Sequence, residues 1–534
     1  MQRLKPADEE ILARYARALV HLRERRRAGR LALVLGAGVS LEFGFPDWNT
    51  LVARLCSTER LKDANAPGGV ALTLRTQALL QHLIELHTAG DGPPTASEER
   101  EAHHEWIGLL HECLYRDVPQ KAEDLTHSYI RSYLDVVRQA PLTVNYNFDD
   151  SIERLISHHY AQEQHDANDR LYETVWEPST QFRRSSGVIY HPNGFLPQQL
   201  LEGFSESIVF SEGEFADQLI DTMSGHYATL MSHLSRYTTV LMGLSLSDST
   251  LKHLLRQNTH HNPGHVHYYL KWCGALPSEE AARAEATAHF DVYGLVTIHL
   301  DSAGYEAFGR LLSCSDEEFH EMADKAGAED RYVYYVSGPV GVGKTTVVQK
   351  LKSLAWLGEW AEQRHPLLAK PHTELSETER LKVDAWVSSQ FRKKNFRLLE
   401  LGRGVIVCDR SPLDPLVFTQ DGEREERAAQ HLTQLVPGSS RKQLEPGQVV
   451  FLTATPAELA ARSRGRQRRG TPEYLADQQQ RLEEIYGDGI GVTKISTSGR
   501  NVREVVRLVA KLIHLGDYAR LDVHTRLSEL AGVR

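Results

Sequence analysis

The sequence predicts an α/β protein built from two successive domains, each with a largely parallel sheet, and three observations lead there. Short β-like runs alternate with helical periodicity along most of the chain. Two of these runs end directly in glycine-rich loops, "LALVLGAGVSLEFGFPDW" at 31–48 and "YYVSGPVGVGKTT" at 334–346. With 534 residues the chain also exceeds what one growing core usually holds.

The elements follow in order. From Pro6 to Arg27, Ile11, Leu12, Tyr15, Leu19 and Leu22 recur at three- and four-residue spacing, which predicts one helix with a single apolar stripe leading into a strand at 31–35. Helical patterns at 48–56, 71–87 and 103–116 are joined by the Gly/Pro-rich "NAPGG" and "TAGDGPPTAS". β-like runs return at 140–147, 186–191, 237–245, 265–270 and 294–300. The first domain is therefore set at 1–315. The acidic stretch 316–330 is read as a linker, and a second domain at 331–534. That half begins with a strand at 332–338, a long helix at 345–357 and more helix at 377–402. It continues with strands at 404–410 and 448–454, an arginine-rich helical segment, and a short sheet-and-helix finish.

Bulk composition narrows the function classes. A formal charge of -10 argues against strong nucleic-acid binding or attraction to an anionic membrane. The five cysteines, Cys56, Cys113, Cys273, Cys314 and Cys408, form no CxxC pair, so neither a disulfide framework nor a structural zinc is expected. The charged start predicts no signal peptide or anchor, and a cytoplasmic location is expected.

The second glycine-rich loop fits GxxxxGK[ST] without a gap: Gly338, Gly341, Gly343, Lys344 and Thr345, with Thr346 opening the helix. Backbone amides would surround phosphate, Lys344 would reach the β/γ oxygens, and Thr345 would hold Mg2+ through the nucleotide, ATP or another. "GVIVCDRSPLDPLVF" puts Asp409 and Arg410 at a strand end, where open parallel sheets expose side chains to ligand. "ARSRGRQRRG" supplies Arg462, Arg464, Arg466, Arg468 and Arg469. On a helix, Arg462, Arg466 and Arg469 would share a face able to cover phosphates. The alternative is a solvated basic helix.

In the first loop, Gly36, Gly38 and Gly44 let a pyrophosphate approach the backbone after the strand, and Ser40 can cap a helix or meet ribose or phosphate. Leu41 occupies the place of the last glycine in GxGxxG, which weakens a dehydrogenase reading. Asn147 reads either as a site residue or as a turn cap, and His191 either as a proton-handling group at a pocket lip or as a histidine bonded under the "PNGFLP" turn.

Two resemblances add to this. Residues 331 to the C-terminus resemble the deoxynucleoside and thymidylate kinases, on Walker A at 338–345, Asp-Arg-Ser at 409–411 and the arginine lid at 462–469. That resemblance places Asp409 and Arg410 near an acceptor nucleoside and implies a carboxylate base, for which Glu374, Glu377 and Glu379 are candidates.

Residues 25–310 resemble the sirtuin superfamily, in particular the bacterial sirtuin-like NADase domains of antiphage defence proteins. The strings that carry it are Gly36-Ala37-Gly38-Val39-Ser40, the run ending in Pro46-Asp47-Trp48, "NYNFDDSIE", "IYHPNGFLP" and "GLSLSD".

The sirtuin resemblance implies a catalytic Asn147 with Asp149, and His191 as general base. It also implies an NAD site that includes Ala37, Asn193, Gly243, Ser245 and Asp248. Asn193 stands where the family usually has histidine. The fold class implied is a sirtuin-like Rossmann-type domain followed by a P-loop nucleotide kinase-like α/β domain. The function implied is magnesium-independent NAD hydrolysis gated by the nucleotide-binding half, in abortive antiphage defence, with a homo-oligomer and a phage-derived activator as partners. Two alternatives stay open: a nucleoside or nucleotide kinase regulated by NAD or ADP-ribose, and an oligomeric scaffold without activity.

Overall fold

The computed structural model describes residues 4–89, 92–119, 129–161, 171–179, 181–200, 203–206, 208–220, 226–246, 249–370, 374–419, 422–436, 443–463 and 471–533. The chain divides into two compact units. One comprises Met1–Arg14, Arg25–Asn258 and His267–Phe319; the other comprises Tyr15–Glu24, Thr259–Val266 and His320–Arg534. The first helix, Pro6–Arg27, has the predicted bounds. It is broken at Tyr15, whose φ of -130° leaves the helical region, and there the chain passes from one unit to the other. Among the described residues no helix is long and apolar enough to cross a membrane.

The first unit is built on a seven-stranded parallel sheet: β1 Leu31–Leu35, β2 Thr143–Asn145, β3 Glu173–Val175, β4 Val188–Tyr190, β5 Thr238–Met242, β6 His267–Trp272 and β7 Leu295–Leu300. The order is β3-β4-β2-β1-β5-β6-β7. The continuous burial of β1, β5 and β7 is that of strands covered on both faces, which is why β1 reads as an unbroken apolar run and β5 and β7 as mostly apolar ones. β3 escaped the sequence pattern because only its middle and last residues, Thr174 and Val175, are β-branched and none of its residues is fully buried. β1 sits where the order reverses, paired with β2 on one side and β5 on the other. In such sheets this is where ligands bind, beyond the carboxyl ends of the strands.

The second unit holds a five-stranded parallel sheet: β8 Arg331–Ser337, β9 Ala355–Leu357, β10 Gly404–Asp409, β11 Gln448–Thr453 and β12 Val492–Ser496, in the order β12-β11-β8-β10-β9. One expectation is corrected here. The segment 345–357 is not one long helix: the helix is Lys344–Lys350, Leu351 leaves helical geometry at ψ 56°, and β9 pairs with β10 through Ala355, Trp356 and Leu357. The stretch 316–330, read as a linker, also has more structure than its acidic composition suggests. It carries a helix, Asp316–Ala326, that buries Phe319, Met322 and Ala323, three well-spaced apolar residues in an otherwise acidic stretch.

Candidate functional site

In the first unit, four strands that are neighbours in the sheet, β4, β2, β1 and β5, deliver the loops that carry the singled-out residues. Those loops touch. Gly38 N–H donates to Gly243 O at 2.9 Å, and Gly36 N–H to Met242 O at 3.0 Å. The glycines are needed for this contact between backbones. A Cβ on Gly36 would lie 2.7 Å from Gly243 O, one on Gly38 2.9 Å from Gly243 Cα, and one on Gly243, at φ +66°, 2.6 Å from Val39 N. Gly243→Ala is accordingly expected to destabilise the first unit by about 1–3 kcal/mol. Denaturant unfolding followed in that unit should show the lowered midpoint.

Asn147 lies at the centre of the touching loops. Its Nδ2 donates to Gly36 O and to Ser40 Oγ, both at 3.0 Å, and its backbone N–H donates to Asn145 Oδ1 at 3.2 Å. A carbonyl such as Gly36 O can only accept, so the amide nitrogen must face the glycine loop and the amide oxygen is the end left for a ligand. Asp149 is buried and takes the Ser151 N–H at 3.0 Å. Burial pushes its carboxyl pKa up, and the hydroxyls of Ser151 and Ser40 pull it back only in part. Asp150 is pushed up to about 6 by burial; it accepts from Tyr115 and from the Gln198 N–H.

His191 is fully buried beneath this turn, so the expected place at a pocket lip is corrected. Nδ1 lies 2.8 Å from Asn147 O and Nε2 lies 2.9 Å from Glu153 Oε1. Burial alone would push the imidazole toward its neutral form. The charge and hydrogen bond of Glu153 outweigh that and raise its pKa. Glu153 is the residue that the sequence reading missed; its only signal was a carboxylate four residues after Asp149, in the first turn of the helix Ser151–His159 that follows. Asn193 is buried, donates weakly to Tyr146 O at 3.4 Å, and keeps Oδ1 without a hydrogen bond.

Other expected contacts are already engaged. Asp47 caps the helix Trp48–Cys56 by accepting the Thr50 N–H at 2.7 Å, and Pro46 precedes that cap. Trp48 packs in an aromatic cluster, stacked on Phe148 at 6.2 Å and edge-on to Phe210 at 5.1 Å. Since Phe148 separates Asn147 from Asp149, Trp48 supports their turn. Ala37 opens a short 3-10 turn after Gly36. Ser245 is in the Gly243 loop, and Asp248 falls outside the described residues.

In the second unit the P-loop follows β8 and is closed upon itself. Lys344 is buried and its Nζ donates to Gly338 O at 2.6 Å and Pro339 O at 2.9 Å. Burial, followed by the Arg410 charge, lowers its pKa to about 8. Gly338, Gly341 and Gly343 all have positive φ, and a Cβ on Gly338 would meet Leu452 O at 2.3 Å. Gln478 takes the Val340 N–H at 2.7 Å. Thr346 is half-buried behind Thr345. Thr345 donates to Asp409 Oδ2 at 2.6 Å, while Asp409 Oδ1 is buried without a hydrogen bond. A hydroxyl beside a carboxylate with a spare oxygen suits Mg2+, a hard cation that takes oxygen ligands.

Arg410 has φ +75°, unusual for a non-glycine residue, and Lys394 Nζ holds the strained turn through Asp409 O at 2.6 Å and Arg410 O at 3.4 Å. Its guanidinium pairs with Glu359 at 2.9 Å. Burial would raise the Glu359 carboxyl pKa, but Arg410, Lys344 and Lys394 hold it below the ordinary value. Glu359 follows β9, beside β10, and lies outside the set Glu374, Glu377 and Glu379 that the kinase resemblance offered. Glu379 is spent on the capping box with Ser376 and on Lys370, Glu377 is exposed at the start of the same helix, and Glu374 is exposed ahead of it. Of the expected arginine face only Arg462 lies among the described residues, and it donates to Thr497 Oγ1 at 2.8 Å and to Thr497 O at 3.0 Å. Arg464, Arg466, Arg468 and Arg469 fall outside the described residues.

Comparison with known proteins agrees with the two sheets. Residues 141–293 match the family described as SIR2-like domain, and residues 333–502 the family described as AAA domain. The first domain is SIR2-like, and the second is a P-loop, AAA-like domain. Two structures of deoxyadenosine kinase from M. mycoides, one with the products dCMP and a flexible dCDP and one with dATP, are similar at 17% and 16% identity. Each covers 33% of this chain and 96% of its own, with a TM-score of 0.27, a weak likeness. Comparison with curated proteins finds no match.

Proposed function

We propose that the SIR2-like domain cleaves NAD to nicotinamide and ADP-ribose and that the P-loop domain binds a nucleotide which gates this activity. The observation that carries the proposal is Asn147, its amide nitrogen anchored on Gly36 and Ser40 where the loops of β1, β2, β4 and β5 meet. The bond between ribose C1′ and the nicotinamide nitrogen breaks with its electron pair going to the ring, so positive charge develops on the sugar. The fixed amide oxygen of Asn147 is a preorganised dipole for that charge. Water then bonds to C1′ and gives up a proton to solvent. His191, with both nitrogens occupied, serves as a positioning residue in this scheme, and Asp149 holds the turn through Ser151.

Unregulated loss of NAD would be toxic, so gating belongs to the proposal. The sirtuin-like resemblance adds abortive antiphage defence, a homo-oligomer and a phage-derived activator. A second reading is favoured by the Glu359–Arg410 pair beside the P-loop: phosphoryl transfer to a nucleoside or nucleotide, with Glu359 accepting the hydroxyl proton and the first domain binding NAD or ADP-ribose as a regulator. Incubation of the purified chain with NAD, ATP, Mg2+ and a pool of nucleosides and nucleotides, read by mass spectrometry, separates the two. Release of nicotinamide and ADP-ribose is expected. Phosphate transfer with intact NAD would instead establish the second.

A further inference from the structure

We propose that Glu153 is a positioning residue that keeps His191 doubly protonated and, through it, holds Asn147 for NAD cleavage, an inference that rests on the NAD-cleaving reading above. The two nitrogens of His191 face groups that can only accept when Glu153 is ionised: the Asn147 carbonyl at 2.8 Å and the Glu153 carboxylate at 2.9 Å. A neutral imidazole has a single N–H and would leave a lone pair facing one of them. The imidazolium satisfies both.

Burial sharpens this requirement. Glu153 is 3% exposed, and its Oε2 has no hydrogen bond. Its Oε1 accepts a further contact from Thr174 Oγ1 on β3 at 3.3 Å. A carboxylate so enclosed persists only beside a compensating positive charge. The other titratable groups around the pair are Asp149 and Asp150 on the turn, Tyr115 on the helix Ala96–Tyr115, and Arg154, whose guanidinium goes to Pro119 O at 3.0 Å. Phe195 covers the ring at 4.8 Å. Among the described residues, the cation-forming group in contact with the Glu153 carboxylate is His191, at 2.9 Å.

The chain of contacts then runs Glu153, His191, the Asn147 carbonyl, and from the same residue's amide to Gly36 and Ser40. Glu153→Gln keeps the shape and removes the charge. The buried imidazole then sheds its proton near neutral pH, and the N–H left for the Asn147 carbonyl is that of a neutral ring, a weaker donor than the imidazolium. Lower pH restores the second N–H.

The test is steady-state NAD hydrolysis by wild type and E153Q from pH 5.5 to 8.5, together with NMR titration of the His191 ring carbon, identified by its loss in His191→Gln. At pH 7.5 E153Q should lose at least about tenfold in kcat with KM within about threefold, and the deficit should shrink toward pH 5.5. Its His191 should titrate at least about one pH unit below wild type. A deficit that is absent, or equal at every pH, overturns the proposal, as does an unchanged His191 midpoint. If wild type releases no nicotinamide, the NAD-cleaving reading fails, and the His191 midpoints still decide whether Glu153 holds the proton. If E153Q does not fold, Glu153→Asp keeps the charge: a protonated His191 at pH 7.5 supports the pairing, and a neutral one overturns it.

Discussion

Asn147→Ala is expected to abolish nicotinamide release from NAD, by about 10²–10³-fold or more, while the chain stays folded. The amide is aimed by Gly36 O and Ser40 Oγ, and among the described residues no other side chain bonds to both of those groups. A preorganised dipole cannot be replaced by water without paying for reorientation during the reaction. His191→Ala should cost at least about tenfold, or about 1.4 kcal/mol, because it removes the group that holds the Asn147 carbonyl. Asn193→Ala should cost less, since the Asn193 side chain donates only weakly, to Tyr146 O at 3.4 Å. Equal amounts of folded protein, supplied with the activating nucleotide if one is needed, should be compared by nicotinamide release. Near-wild-type turnover in Asn147→Ala would remove the NAD-cleaving reading.

Lys344→Ala is expected to weaken nucleotide binding to the second domain by at least about a hundredfold, the loss of two charge-assisted contacts. From sequence this lysine is expected to reach the β/γ oxygens of the nucleotide and to take little part in a core. In the structure it is buried and its ammonium is satisfied by Gly338 O and Pro339 O, so phosphate oxygens must take over the place of those carbonyls. Its pKa, lowered to about 8 by burial, gives a second consequence. An anion favours the charged form, so affinity should fall as pH rises from 7 to 9, and binding near pH 8 should take up a proton. Calorimetry in buffers of differing ionisation enthalpy reads both. Affinity that is unchanged by the substitution and by pH would show that Lys344 does not meet phosphate. If Lys344→Ala also lowers NAD hydrolysis, the two domains are coupled.

The class of fold, the strands β1, β5, β6 and β7, and the P-loop were legible because each depends on local information. A strand buried on both faces has to be a continuous apolar run, and a phosphate loop needs its glycines at fixed spacing. Asn147, His191 and Gly243 were likewise found as types in the right strand-end positions. The missing parts share one cause: their signal is not local. β9 was hidden because "KSLAWL" has no alternation to set it apart from the preceding helix, and its pairing with β10 decides it. With β9 hidden, Glu359 had no strand end to stand on, and the base was sought in Glu374, Glu377 and Glu379, two of which simply open a helix.

The sequence by itself determined which residues can do chemistry and which strand ends carry them. Tertiary structure decided what each is free to do. His191 is a titratable ring in either description, but only packing reveals that both nitrogens are occupied and that Glu153, 38 positions away, raises its pKa against the effect of burial. Gly36 and Gly243 look like room for a pyrophosphate, yet their lack of a Cβ is already required by the close approach of two loops more than 200 residues apart. Protonation state, free lone pairs and steric room depend on groups brought together across the sheet, and a linear pattern carries no distance between them.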